Sequence, residues 1–247
     1  MYSNFKIKKV TGTYSDTIEA LGLANLLNEI QSRLNIRRPK LVIEDKGLFY
    51  EIISQPEISS EEIKSLTYFP IFQYVIKESK DSFNEPCFNY EQQRKLKKEK
   101  QELVQIAYKE FKGKEKAQLL KDKLAQIENI YTEEKYISPQ LDVYTQIATN
   151  NNFTGFEKLY QNISANKEHF SDIIKAILDF YSDKKTDIDY KALTSFETSV
   201  TALQIYNPNS GKGQNRSKAS GAGAGGVKSI WISETMKISG SITNMLC

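Results

Sequence analysis

Between Asn207 and Lys228 the chain reads NPNSGKGQNRSKASGAGAGGVK, a run of side chains suited to holding phosphates and touching base edges. Six of the twelve glycines fall there: Gly211, Gly213, Gly221, Gly223, Gly225 and Gly226. Glycine lets backbone N–H groups approach an anion without a side chain in the way. Lys212, Arg216, Lys218 and Lys228 add positive charge, and no Asp or Glu occurs from Thr198 to Ser233. Asn207, Asn209, Gln214 and Asn215 carry amides that donate to and accept from base edges. Together these residues read as a clasp for a polyanion. A flexible Ser/Gly/Ala linker is the alternative reading of the same composition.

Other chemistries fit poorly, and no residue is assigned a catalytic role. His169 is the single histidine, so a histidine-based metal site is unsupported and a Ser-His-Asp arrangement has one candidate base. Its place between Glu168 and Phe170, at a helix entrance, suits a capping or surface role. The acid pairs Glu61/Glu62, Glu133/Glu134 and Asp187/Asp189 fall in polar surroundings without other catalytic types nearby. Gly221, Gly223 and Gly226 match G-x-G-x-x-G, but a dinucleotide fingerprint needs a strand before it and an acid about twenty residues after it. Glu234 is too close. The Gly211–Lys218 stretch lacks the Gly-Lys-Ser/Thr ending of a P-loop, and no cofactor is expected. Cys87 and Cys247 have no metal-type spacing and read as free thiols.

The elements that must position the clasp read as an α+β chain. The 247 residues are 39% hydrophobic and 26% charged, with a net charge of +3, so attraction to nucleic acid must come from patches. No apolar run reaches membrane-spanning length and the start lacks the apolar stretch of a secretory signal, so a cytoplasmic protein is expected. Residues 1–80 read as a small α+β domain in the ferredoxin-like order β-α-β-β-α-β. Its parts are a strand through Phe5 and Ile7, a helix with Asp16 as cap and Glu19 completing a capping box, and strands Leu41–Glu44 and Leu48–Ile53 joined at Gly47. A short helix capped by Ser59 and Glu62 and a fourth strand at Ile71–Lys77 complete the order.

Residues 90–247 read as a mainly helical region carrying the basic Gly-rich loop 207–228. Between Arg94 and Lys123 there are eleven cations and five acids. This pattern fits a solvated helix face with i,i+4 pairs, and also a groove wall turned towards phosphates. The tract Thr149–Asn152 reads as a loop. Apolar spacing predicts helices through Phe156–Ile163, Phe170–Tyr181 and Tyr190–Leu203, and a last helix from about Gly226 with Lys228 in its first turn, where helix N–H groups could take a phosphate.

Two stretches resemble a known family. The segment QIYNPNSGKGQNRSKASGAGAGGVKSIWISETMKISG, with the opening VTGTYSDTIEALGLANLL, is similar to the large subunit of type I CRISPR effector complexes, the Cascade assemblies. The pattern falls on Asn207, Pro208, Gly211, Lys212, Gly213, Gln214, Asn215, Arg216, Lys218 and Trp231. Family members are usually considerably longer, so the resemblance implies either an N-terminal portion or a reduced version. It implies a non-catalytic subunit that binds guide RNA and target DNA, sits beside other Cascade subunits and recognises the motif flanking the target. It would help open the duplex for a helicase-nuclease recruited in trans. The bottom-up alternative is an interaction or scaffold protein that docks a partner through the basic helix at Arg94–Lys123.

Overall fold

The computed structural model describes residues 1–76, 87–113, 116–147, 150–203 and 228–244. They belong to two compact units, one from Met1–Tyr74 with Thr149–Cys247 and one from Val75–Ala148. The sequence division into residues 1–80 and 90–247 groups the chain differently. The last helices return to the N-terminal sheet and helix, which supply the apolar surface they need.

The first unit begins with β1 (Tyr2–Lys8), α1 (Tyr14–Arg33), β2 (Lys40–Asp45), β3 (Phe49–Ile58) and α2 (Ser60–Lys64). The three strands form an antiparallel sheet in the order β1-β3-β2. Phe5 and Ile43 both pair with Ile52, and alternate residues of β1 are buried beneath α1. Gly47, at φ +81°, makes the β2–β3 turn that its sequence predicts. The Ser59/Glu62 capping box is present, with Ser59 N–H donating to Glu62 at 2.6 Å and Glu62 N–H to Ser59 Oγ at 3.1 Å.

The α+β class holds, but the fourth strand departs from the ferredoxin-like order. β4 covers only Tyr74–Ile76 and pairs with β5 (Cys87–Asn89) in a separate two-stranded sheet. All three β4 residues are buried, without the alternation that would mark a half-exposed strand beside β1.

The first unit resumes with α6 (Asn150–Ser164), α7 (Phe170–Tyr181), β6 (Ser199–Thr201), β7 (Lys228–Ile230) and α8 (Trp231–Asn244). The polar tract expected as a loop supplies the start of α6 from Asn150. The helix expected over Tyr190–Leu203 is absent: residues 183–198 are irregular and 199–201 form β6. Two buried asparagines, Asn162 of α6 and Asn166 just past its end, hold this stretch open. Asn166 accepts from Thr194 N–H at 2.6 Å and donates to Thr194 C=O at 3.1 Å. Asn162 does the same with Glu197, at 3.0 and 2.9 Å. Backbone groups that a helix would pair internally are thus paired with side chains.

The second unit contains α3 (Tyr90–Glu110), α4 (Ala117–Asn129), a π turn at Ile130–Glu134 and α5 (Gln140–Ile147). α3 and α4 pack around Ala107, Ile127 and Tyr131. The base of this helical arm is laced by ion pairs, Lys97–Asp142, Lys100–Glu128 at 2.8 Å and Lys135–Glu99 at 2.6 Å.

α1 and α8 form the most extensive helix pair among the described residues. Gly22 and Gly240 are its closest approach. A Cβ built on Gly22 would lie 1.9 Å from Met236 O, and one on Gly240 would lie 2.0 Å from Ile18 O. Glycine costs a helix interior about 1 kcal/mol relative to alanine, so two of them at one crossing report a backbone-to-backbone contact that excludes any side chain. Gly22→Ala or Gly240→Ala should reverse the usual helix preference and destabilise by about 3 kcal/mol through overpacking. The melting temperature of the first unit should fall by roughly 6–12 °C. A thermal melt followed by tryptophan fluorescence checks this, because Trp231 is fully buried in α8.

Candidate nucleic-acid interface

Asn207, Asn209, Lys212, Gln214, Asn215, Arg216 and Lys218 lie outside the described residues; Lys228 lies within them. The structure therefore shows the base from which the basic segment leaves. β6 and β7 pair antiparallel, with Ser199 opposite Ile230, Val200 opposite Ser229 and Thr201 opposite Lys228. The Trp231 N–H extends the ladder to Thr198 C=O at 3.1 Å. The two ends of residues 202–227 thus depart side by side, one strand spacing apart, about 4.8 Å.

Lys228 corrects one sequence expectation. It is the first residue of β7, exposed, and α8 begins three residues later at Trp231. It does not sit in the first turn of a helix, so no helix N–H group joins it in holding an anion. The pairing of Lys228–Ile230 with the β6 strand outweighs helix extension.

Side chains buried behind the ribbon fix it. Trp231 is fully enclosed, its ring edge-on to Phe196 at 5.0 Å, and its Nε1–H donates to Tyr190 OH at 3.3 Å. Leu203, 4% exposed, packs on Gly155 of α6, where a Cβ would meet its Cδ2 at 2.2 Å. Its N–H donates to Glu234 Oε2 at 3.0 Å. Glu234, read from sequence only as an acid too near the glycines for a dinucleotide site, therefore holds down the residue at which the basic segment begins.

Glu234 is itself part of a buried ionic cluster. Lys237 Nζ, on the next turn of α8, lies 3.0 Å from Glu234 Oε1 and 3.8 Å from Glu19 Oε2 of α1. Glu19 also accepts from Tyr181 OH at 2.8 Å and from Ser233 Oγ at 2.7 Å. Burial pushes the Glu19 carboxyl above the usual range, against the lowering effect of Lys237 and its two hydroxyl donors. Burial and the neighbouring Glu19 push the Tyr181 phenol well above its ordinary value.

Glu19 was expected to complete a capping box with Asp16. The N-cap is instead Thr13, whose hydroxyl accepts from Ser15 N–H, while Asp16 accepts from Thr11 N–H at 3.2 Å and Gly12 N–H at 2.7 Å. The capping pattern in the sequence is real, but its residues are turned to other partners. Lys237 and Glu234, three apart in an otherwise apolar helix face, were the sequence signal for the cluster. Asn162 and Asn166 were signalled only by their i,i+4 spacing.

The candidates for enzyme chemistry remain scattered. His169 occupies the N-cap position of α7, but its side chain makes no capping bond, and Nδ1 lies 3.8 Å from Asp172. Glu61 pairs with Lys64 at 2.9 Å, Glu62 caps α2, and Asp187 lies 3.4 Å from Lys175. No group of three metal-ligating side chains occurs among the described residues. No helix among them is long and apolar enough to cross a membrane.

No protein-family model matches the chain, and no curated protein or solved structure shows a match to it.

The buried cluster makes two opposed predictions. Lys237→Met strands two carboxylates in the core and should cost about 3–5 kcal/mol. Glu19→Gln leaves Lys237 matched one-to-one with Glu234 and should cost under about 1 kcal/mol at neutral pH, because the amide oxygen in the place of Oε2 still accepts from Ser233 while the amide NH2 in the place of Oε1 donates to the Tyr181 hydroxyl. A carboxyl whose folded value is raised stabilises fully below its unfolded value and loses that contribution as pH rises through the folded one. Glu19→Gln should therefore flatten the decline in stability as pH climbs from about 4.5 towards neutrality. Urea unfolding of both variants across that range checks each expectation.

Proposed function

We propose that the chain is a non-catalytic nucleic-acid-binding subunit of a CRISPR RNA-guided surveillance complex. In this reading Lys212, Arg216, Lys218 and Lys228 hold phosphates of guide RNA or target DNA, while Asn207, Asn209, Gln214 and Asn215 probe a groove edge. The subunit recognises the motif flanking the target and helps open the duplex for a separate helicase-nuclease. Opening is close to balanced in energy, so backbone contacts at the flanking motif are enough to bias it.

The observation that carries the proposal is the pairing of an acid-free, glycine-rich cationic segment with a rigid base. A linker needs no such base. Here β6–β7, Trp231, Leu203 and Glu234 fasten both ends of the segment to the core. The two stretches that resemble the Cascade large subunit also lean on one another. The opening stretch forms α1 and the later one ends in α8, and they meet through Gly22, Gly240, Glu19 and Lys237. A ferredoxin-like ancestry for the β1-β3-β2 sheet with α1 and α2 belongs to the same reading.

A scaffold role without nucleic-acid contact draws on a different observation, that the cations at the base of the α3–α4 arm are paired with carboxylates. A binding titration separates the two. Replacing Lys212, Arg216 and Lys218 by Ala should weaken duplex binding and reduce the salt slope by up to roughly three units, about 0.9 for each lost phosphate contact. Unchanged affinity and slope would leave the scaffold reading.

A further inference from the structure

Two groups of cations stand out on the α3–α4 arm. At its base, Lys97, Lys100 and Lys135 are matched with carboxylates from neighbouring elements. At its tip, Lys109, Lys112, Lys116, Lys121 and Lys123 are all exposed, and none lies within 4 Å of a carboxylate among the described residues. Lys116 Nζ reaches only a backbone carbonyl, that of Glu110, at 3.4 Å. The acids described at the tip are Glu110 and Asp122, and Asp122 is engaged by Gln118 at 2.9 Å. Five cations against two acids leave an excess of three.

This is not how a merely solvated helix is arranged, because ion pairs along the helix would cancel the charge here, as pairs with neighbouring elements do at the base. Lys116 and Lys123 lie two helical turns apart on one stripe of α4, about 10 Å at 1.5 Å per residue. Tyr108, 53% exposed, lies on α3 next to Lys109 and four residues before Lys112 in the chain, and offers an aromatic ring to solvent near the same end of the arm. Every cation of the tip is lysine, a point charge that neutralises phosphate without demanding the paired geometry of arginine.

We propose that the tip of the α3–α4 arm is a second, sequence-independent contact for the sugar-phosphate backbone of single-stranded nucleic acid, with Tyr108 stacking on an unpaired base. A membrane surface fits less well. The apolar stripe of α4, through Leu120, Leu124 and Ile127, is turned onto α3, and the apolar side chains that the arm exposes, Leu103, Ile106 and Leu119, are too few to make the continuous apolar face that a lipid interface takes. The site is separate from residues 207–228 and does not depend on the role given to them.

The test uses the full chain and a labelled 20-nucleotide single strand, titrated by fluorescence anisotropy over a range of salt. Replacing the five lysines by Gln should lower affinity at least tenfold and reduce the salt slope by up to about 3.5 units, roughly 0.7 for each of the five phosphate contacts on a single strand. Replacing all five by Arg should preserve binding. Tyr108→Ala should weaken binding about tenfold with the slope unchanged, because stacking carries no counterion term. All six side chains are exposed, so an unchanged thermal melt verifies folding in each variant. If the Gln variant binds like the parent, the tip proposal is overturned, and a loss confined to Lys212, Arg216 and Lys218 variants would then leave the segment reading standing alone. Loss through the tip variant but not the segment variant supports the tip and removes the segment reading. Failure of the parent chain to bind the strand overturns both. Loss of retention on phosphatidylserine vesicles with strand binding intact overturns the proposal in favour of a lipid surface.

Discussion

Lys237 is the pivot of the first unit. Its ammonium is 5% exposed and stands between Glu234 of its own helix and Glu19 of α1. A buried cation is tolerated only when geometry and hydrogen bonding are nearly complete, and here they are supplied by a helix crossing close enough to forbid any Cβ at Gly22 and Gly240. The crossing places Glu19 within reach of Lys237. Lys237 in turn engages Glu234 Oε1, which leaves Glu234 Oε2 to hold the Leu203 N–H. One steric constraint between two glycines is thereby transmitted to the start of the basic segment.

That transmission gives the ribbon its purpose. Closing a loop as long as residues 202–227 costs about 3 kcal/mol of chain entropy beyond a constant. Three residue pairs in β6–β7 are a small return against this. The fully buried Trp231, the Leu203 packing on Gly155 and the clamps made by Asn162 and Asn166 supply the remainder. Under the proposed function, such a base orients a phosphate-gripping segment towards its ligand and lowers the entropy lost on binding.

Local signals in the sequence were read well where one element decides its own structure. The Asp45-Lys46-Gly47 turn, the Ser59/Glu62 capping box, and the apolar faces of α6 and α7 all follow from short-range spacing. The misreadings share one cause, the override of local pattern by distant partners. Tyr190, Leu193, Phe196, Val200 and Leu203 have helical spacing, yet Asn162 and Asn166 capture the backbone of Thr194 and Glu197 and hold it irregular. Glu19 sits where a capping box wants it, but Tyr181, Ser233 and Lys237 approach from elements more than 160 residues away and claim it. Lys228 follows glycines that suggest a helix start, but Thr201 pairs with it first. Of the candidate site, the composition of residues 207–228 was legible and its foundation was not, because that foundation is assembled wholly from long-range contacts.

The central claim, that a cationic segment fixed at its base grips a sugar-phosphate strand, is tested most directly by amide hydrogen exchange with and without saturating nucleic acid. The account predicts slow exchange in Ser199–Thr201 and Lys228–Trp231 in both states, with new protection on binding confined chiefly to residues 204–228 and the arm tip. Protection that leaves 204–228 unchanged while nucleic acid is demonstrably bound would contradict it.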